Sequence, residues 1–394
     1  MTGAKAQKIP RAILIGLVAG IPSGLAAVVF LHLLDAVTQA RQEHPQIIWA
    51  LPLVGLLIGW VYHDYGRDSA PGANLIIEEI HSPKKQLPLR MAPLLAISTF
   101  LTHLFGGSAG REGVAVQMGA ALADEGGRHL GVTPTERRAL LLAGSGAGFG
   151  AAVGSPWAGV VFGMEMIYAK RLRPTAVLEC LVASFAAFAV ARLALPHSAH
   201  WPQVPWVPPT LPLVAGVVGG SILFGLSARV FVYCTHGIES LQQRFVTKAQ
   251  WRPFFGGLLL VALYWLEGSY RYVGLGIDVI QQGLENSAPW RDSLLKILFT
   301  ALTIGSGFKG GEFVPLVFTG AALGSALAGA LGLPVSILAS VGFAAVFAAA
   351  ANAPVACTLM AVDLFGWPVA PYALSGCLIA FAVSGRHGIY KRQR

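Results

Sequence analysis

Apolar residues fill this chain in long blocks, with polar residues confined to short interruptions. Ala12–Leu34, Ala139–Met164, Val204–Ala228 and Phe313–Val362 carry no Asp, Glu, Lys or Arg. Several of these blocks exceed the roughly 20 residues that a helix needs to cross a bilayer. The pattern predicts helices over 11–39, 48–64, 73–81, 90–106, 112–125, 134–150, 156–169 and 175–195. After a Pro-rich link at His197–Pro212 it predicts further helices over 212–240, 252–267, 276–285, 290–306, 313–331, 334–350, 354–365 and 370–385. Short pieces such as 73–81 cannot span a bilayer and read as re-entrant. The fold class is an all-α polytopic membrane protein.

Glycines and prolines, 47 and 24 of them, fall inside the apolar blocks as well as between them. A broken helix in a membrane is tolerated where protein or a watery cavity satisfies the freed backbone groups. Clustered breaks therefore point to a transporter or channel core. The halves also repeat. Phe149-Gly150-Ala151-Ala152-Val153-Gly154-Ser155-Pro156-Trp157-Ala158 parallels Phe347-Ala348-Ala349-Ala350-Ala351-Asn352-Ala353-Pro354-Val355-Ala356, which sets Glu165 opposite Asp363. At nearly the same shift Gly110-Arg111-Glu112 parallels Gly310-Gly311-Glu312. Two halves, 1–200 and 201–394, follow, with the site expected at their interface near the midplane.

Composition agrees: 55% of residues are hydrophobic and 12% charged, against roughly 25% charged in soluble domains, and the mean hydropathy is +0.62. The net charge of +9 is spread over the termini and loops: Lys5, Lys8, Arg11, Lys84, Lys85, Arg90, Arg137, Arg138, Lys170, Arg171, Arg173, Lys391, Arg392 and Arg394. In a membrane chain these set topology and touch lipid headgroups rather than nucleic acid. The basic start predicts a cytoplasmic N-terminus. The first span is too long for a cleavable signal peptide, and no soluble regulatory domain is expected. Cys180, Cys234, Cys357 and Cys377 lack metal or redox spacing and read as inert core residues. No metal motif is present, and neither cofactor nor metal is expected.

The chemistry concentrates at Gly110-Arg111-Glu112-Gly113, between the apolar stretches Met91–Phe105 and Val114–Leu122. An ionisable residue at membrane depth is costly and marks a functional site by default. The glycines before it interrupt the helix, so a new helix begins at Glu112 with free N–H groups at its mouth, where anions bind.

These residues, the block Ser155-Pro156-Trp157-Ala158-Gly159-Val160-Val161-Phe162 and Glu312-Phe313-Val314-Pro315 together resemble the signature segments of the CLC family of anion channels and proton-coupled antiporters. Asn74–His81 and Thr102–Glu112 look most like its fluoride-exporting CLC-F branch. The resemblance implies two inverted-topology repeats with broken and re-entrant helices. It implies helix N-termini at Gly72, Glu112 and Phe313 converging on one anion. Glu112 would be the gating glutamate and proton carrier, the alternative being a helix-capping acid paired with Arg111, with Gly72, Ala73, Asn74, Gly110, Gly113, Phe313, Val314 and Tyr390 around the anion. Arg111 would brace the break or an interface rather than bind the anion.

Glu312 reads either as a proton acceptor that tunes the site or as an acid favoured by a helix N-terminus. Tyr390 reads either as pore-directed or as interfacial. The chloride branches carry a serine where this chain has Pro71-Gly72-Ala73-Asn74. Chloride antiporters also have an inner glutamate where this chain has Met166. Both departures favour F⁻/H⁺ antiport; the alternative is a voltage-gated-type chloride or broadly selective channel or antiporter. Glu165 and Asp363 are expected to partner loop cations such as Lys170, and His103, Asp35 and Glu267 to be structural. The resemblance further implies a homodimer in the plasma (inner) membrane, with fluoride or chloride and protons as partners. An intramembrane hydrolase would need a nucleophile–base pair that the sequence does not supply, so no enzyme is expected.

Overall fold

A computed structural model describes residues 8–168, 174–194 and 201–393. Sixteen α-helices occupy the described residues, and the chain places eight in each half. The first eight are α1 (Lys8–Glu43), α2 (Leu51–Asp64), α3 (Ala73–His81), α4 (Met91–Leu104), α5 (Glu112–Leu130), α6 (Pro134–Val153), α7 (Pro156–Glu165) and α8 (Val177–Ala194). The second eight are α9 (Leu211–Phe245), α10 (Arg252–Glu267), α11 (Ile277–Glu285), α12 (Trp290–Gly305), α13 (Phe313–Leu331), α14 (Val335–Ala351), α15 (Pro354–Phe365) and α16 (Ala370–Ser384).

The halves match helix for helix. The long leading helices α1 and α9 have 36 and 35 residues. The short α3 and α11 have nine each and follow left-handed glycines, Gly72 and Gly276. Helices α5 and α13 have nineteen each, and each is closed by a left-handed glycine, Gly131 or Gly332. The repeat is the inverted-topology plan of broken and re-entrant helices that the sequence implied.

At about 1.5 Å per residue, the 36-residue α1 is roughly 54 Å long, well beyond a bilayer core of about 30 Å. Its polar end, Arg41-Gln42-Glu43, stays helical past the apolar block, which is why it outruns the predicted 11–39. One face of α1 exposes Leu17, Ile21, Leu25, Val29 and Leu33 at every fourth position, a row suited to lipid. The adjoining row, Gly16, Gly20 and Gly24, lies against α8. A Cβ on Gly20 would stand 2.4 Å from the Ala183 carbonyl oxygen, and one on Gly24 2.8 Å from that of Ala187. Small residues at this spacing let two membrane helices pack backbone to backbone. Among the described residues, six helical segments are long and apolar enough to cross a membrane.

Of the four cysteines, Cys180, Cys357 and Cys377 are buried as expected, but Cys234 is exposed. It lies on the apolar outer surface of α9, where burial in the fold is not needed to shield an apolar side chain.

Candidate functional site

The two halves meet at their breaks. Chain leaving α4 turns through Gly106 (φ 91°), and chain leaving α12 turns through Gly307 (φ 100°). Both φ values lie in a region that glycine enters without a Cβ clash. The two segments then pair: the Gly110 N–H donates to the Gly311 carbonyl at 2.6 Å and the Gly311 N–H to the Gly110 carbonyl at 2.7 Å. This antiparallel bridge sets the starts of α5 and α13 side by side. A Cβ on Gly110 would come within 3.0 Å of the Gly311 oxygen and the Val314 nitrogen, so the approach needs glycine.

The pairing corrects the sequence register. One constant shift carries Gly106 onto Gly307, Gly110 onto Gly311 and Gly131 onto Gly332. Under it Glu112 falls on Phe313, and Glu312 falls on Arg111. Glu312 is the residue before α13, the place Arg111 holds before α5. It is not the counterpart of Glu112. The doublet Gly310-Gly311 allowed the slip of one residue.

Glu112 is 2% exposed and opens α5. Its carboxylate folds back onto its own helix end, accepting the Arg111 backbone N–H at 3.2 Å and the Arg111 Nε at 3.2 Å. Arg111 in turn lies 3.8 Å from the Asp35 carboxylate. Arg111 therefore grips the carboxylate, the pairing that the helix-capping alternative expects. By helix geometry the first N–H groups of α5 and of α13 have no intrahelical acceptor. Each helix end also carries roughly half a positive charge.

Above Glu112 opens a cavity of about 1150 Å³, lined by Asp35, Arg41, Arg111, Glu112, Phe313 and Val314 among others. It sits at the C-terminal end of α1, while Arg11 near the other end of that helix pairs with Glu136 at 2.8 Å. The cavity thus opens on the face opposite the start of α1.

Gly72, Ala73 and Asn74 stand beside α5 rather than in the cavity wall. A Cβ on Gly72 would lie 3.0 Å from Gln117 Oε1, and the Gln117 amide donates to the Gly113 carbonyl at 3.0 Å. Gln117 thus joins the start of α3 to the first turn of α5. The Asn74 N–H donates to the Pro71 carbonyl, and its Oδ1 accepts from the Arg392 N–H at 3.1 Å. That leaves the Ala73 N–H and Asn74 Nδ2 as the donors at this helix end.

Tyr390 is 9% exposed and within electrostatic reach of Glu312 and Cys357. It is internal rather than interfacial. The tail holding it is tied by Ile389 N–H to Ala350 O at 2.9 Å and by Gln393, whose amide bonds to Met166 O, Ala351 O and Asn352.

The sequence reading missed the packing around Phe313. Phe149 and Phe347 meet its ring edge to face at 5.5 and 4.7 Å, and Phe149 stacks on Phe162 at 4.1 Å. The paired Phe149 and Phe347 blocks held this signal, since both halves keep the aromatic at one place.

Among the described residues, Glu165 and Asp363 bond to helix ends of the other half. The Glu165 carboxylate, 3% exposed, accepts the Val355 and Ala356 N–H groups at 3.1 and 2.8 Å, capping α15. Asp363 on α15 accepts from Ser155 Oγ, the N-cap of α7, at 2.6 Å. Each repeat caps the other's helix. Lys170 lies outside the described residues.

The family profile described as voltage gated chloride channel matches residues 54–385. A relative from Pseudomonas syringae pv. tomato, named a chloride/fluoride channel protein, is 45% identical, over 97% of this chain and 85% of its own. A putative chloride channel protein of the ClcB-like kind from Ralstonia nicotianae is 29% identical, over 87% and 85%. The crystal structure of a CLC-type fluoride/proton antiporter superposes with a TM-score of 0.94 at 32% identity, covering 100% of this chain and 99% of that one. A slow cyanobacterial Cl⁻/H⁺ antiporter shares the fold, with a TM-score of 0.85 at 22% identity and coverage of 97% and 96%. The paired helix breaks, the buried glutamate at a helix mouth and these matches lead to one conclusion: the chain belongs to the CLC (voltage gated chloride channel) family of anion transport proteins.

Proposed function

We propose that this protein is a fluoride/proton antiporter that exports fluoride, with Glu112 as its gate. The observation carrying the reading is the Glu112 carboxylate seated on the N-terminus of α5, buried below the cavity and beside the start of α13. A carboxylate there occupies the place that suits a transported anion. Protonation removes its negative charge and its hold on the helix end and Arg111, so the side chain leaves and the anion enters. Carboxylate and anion occupy the site in turn, which couples anion movement one way to proton movement the other.

A small, strongly hydrated anion such as fluoride needs close N–H donors to replace its water. The first N–H groups of α5 and α13 around Gly113, Phe313 and Val314, with the Ala73 N–H and Asn74 Nδ2, would serve; the Gly110 N–H is already given to the Gly311 carbonyl and instead holds the two helix mouths together. Glu312 beside Tyr390 would pass protons to the far face. The halves 1–200 and 201–394 form one pathway per chain, and the protein works as a homodimer in the inner membrane. With the basic N-terminus cytoplasmic, the cavity faces outward. The reaction moves ions and makes or breaks no covalent bond of an organic substrate, so it is not enzymatic.

The test is reconstitution in liposomes with an imposed fluoride or chloride gradient while proton movement is recorded. The reading expects a fluoride gradient to drive protons uphill and chloride to do so poorly. Equal movement of both anions, or fluoride flux with no proton flux, would overturn it in favour of a broadly selective channel.

A further inference from the structure

The cavity wall holds a buried cation that, among the described residues, has no carboxylate partner. Arg41, at the C-terminal end of α1, lines the cavity, is 9% exposed, and its Nε has no partner. Its Nη2 lies 3.5 Å from where a Cβ on Gly274 would stand. Lys296 on α12 is fully buried and donates to the Gly274 carbonyl at 2.8 Å and the Tyr272 carbonyl at 3.2 Å. Two cationic side chains thus reach one residue of the loop leading into α11. His103 on α4 is 1% exposed, and neither ring nitrogen has a partner. The charged groups acting on it are Arg41, Lys296 and Arg111, all of them cations. One turn earlier on α4, the buried Thr99 hydroxyl is also unpartnered, although Thr102 bonds back to the Ser98 carbonyl.

Among the described residues, neither Arg41 nor Lys296 forms an ion pair with a carboxylate. Asp292 is taken by Arg271 and the Tyr272 hydroxyl. Burying a charge without a counter-charge is strongly unfavourable, and a guanidinium cannot shed its proton. Water would satisfy the orphaned donors but leave the charge uncompensated.

We propose that one halide ion completes this cluster, held by Arg41 at the cavity wall, with the buried Lys296 and His103 adding positive potential from outside the lining. The site is separate from the helix ends at Glu112 and does not depend on Glu112 acting as a gate. Because Arg41 lines the cavity, the ion reaches the cluster from the solution that fills it.

The test is thermal unfolding of the purified full chain at constant ionic strength, in sodium gluconate, sodium fluoride and sodium chloride. Wild type, Arg41→Met, Glu112→Gln and the double variant are compared. A ligand that binds only the folded state raises stability with its concentration. The expected result is a halide-dependent rise in melting temperature that Arg41→Met diminishes in both backgrounds. In gluconate, Arg41→Met should melt no lower than wild type, because it removes an uncompensated charge. An equal halide response with and without Arg41 overturns the proposal. If Arg41→Met does not fold, wild-type crystals grown in sodium bromide decide the matter. An anomalous peak within hydrogen-bond reach of Arg41 Nε supports the site, and its absence there overturns it.

Discussion

Replacing Glu165 by Gln separates two roles that an acid at this depth could play. The carboxylate accepts two backbone N–H groups of α15 at 3.1 and 2.8 Å and is 3% exposed. Glutamine keeps one acceptor oxygen but turns an amide NH₂ toward the second N–H. One charge-assisted bond is lost, worth about 1.5–3 kcal/mol, and a buried donor is left unsatisfied. The favourable meeting of a negative charge with a helix N-terminus also disappears, worth up to ~2 kcal/mol when buried. These contributions overlap, so the expected loss is roughly 2–4 kcal/mol. Asp363→Asn should cost less, about 1 kcal/mol, because Asp363 is exposed and its bond to Ser155 is partly replaceable by water. The assay is thermal unfolding of the purified protein, followed by fluoride-driven proton flux from the folded fraction. The account expects a lower melting temperature for Glu165→Gln, with the proton-to-fluoride ratio unchanged. An unchanged melting temperature together with lost proton coupling would refute the cap and make Glu165 a proton carrier.

Further outcomes follow from the same geometry. Gly148→Ala should abolish folding or lower the melting temperature by more than any other substitution named here, since its Cβ would stand 2.1 Å from the Ala115 carbonyl oxygen across α5 and α6; circular dichroism on heating reads this. Gly110→Ala should slow anion flux more than it lowers stability, because the added methyl meets the Gly311 oxygen and Val314 nitrogen at 3.0 Å and pushes the helix mouths apart; flux and melting measured on one preparation give the split. Gln393→Ala should release the tail around Tyr390, which loses bonds at 2.7, 2.9 and 2.9 Å. Amide exchange across 386–393 should rise while the core stays protected.

Much of the fold was legible because a bilayer leaves few options. Apolar blocks had to be helices, and their breaks had to face one another or a cavity. The short α3 and α11 could be read as re-entrant from length alone. Glu112 could be singled out because it is expensive where it stands. The register of the second break was not legible: Gly310 and Gly311 are interchangeable in sequence, and only the backbone pairing with Gly110 tells them apart. The caps at Glu165 and Asp363 were missed because their partners lie in the other half of the chain. Sequence position showed the nearby loop cations and not the distant helix ends. Gln117 was overlooked because a single amide inside an apolar helix carries no pattern, yet it connects the start of α3 to the first turn of α5.

The central claim is that one carboxylate, Glu112, alternates with the transported anion at the mouth of α5 and carries the proton. Proton movement under an imposed fluoride gradient, recorded in liposomes for wild type and Glu112→Gln side by side, tests it most directly. The account predicts that wild type pumps protons against their gradient and that Glu112→Gln pumps none. Proton pumping by Glu112→Gln at the wild-type ratio would contradict it.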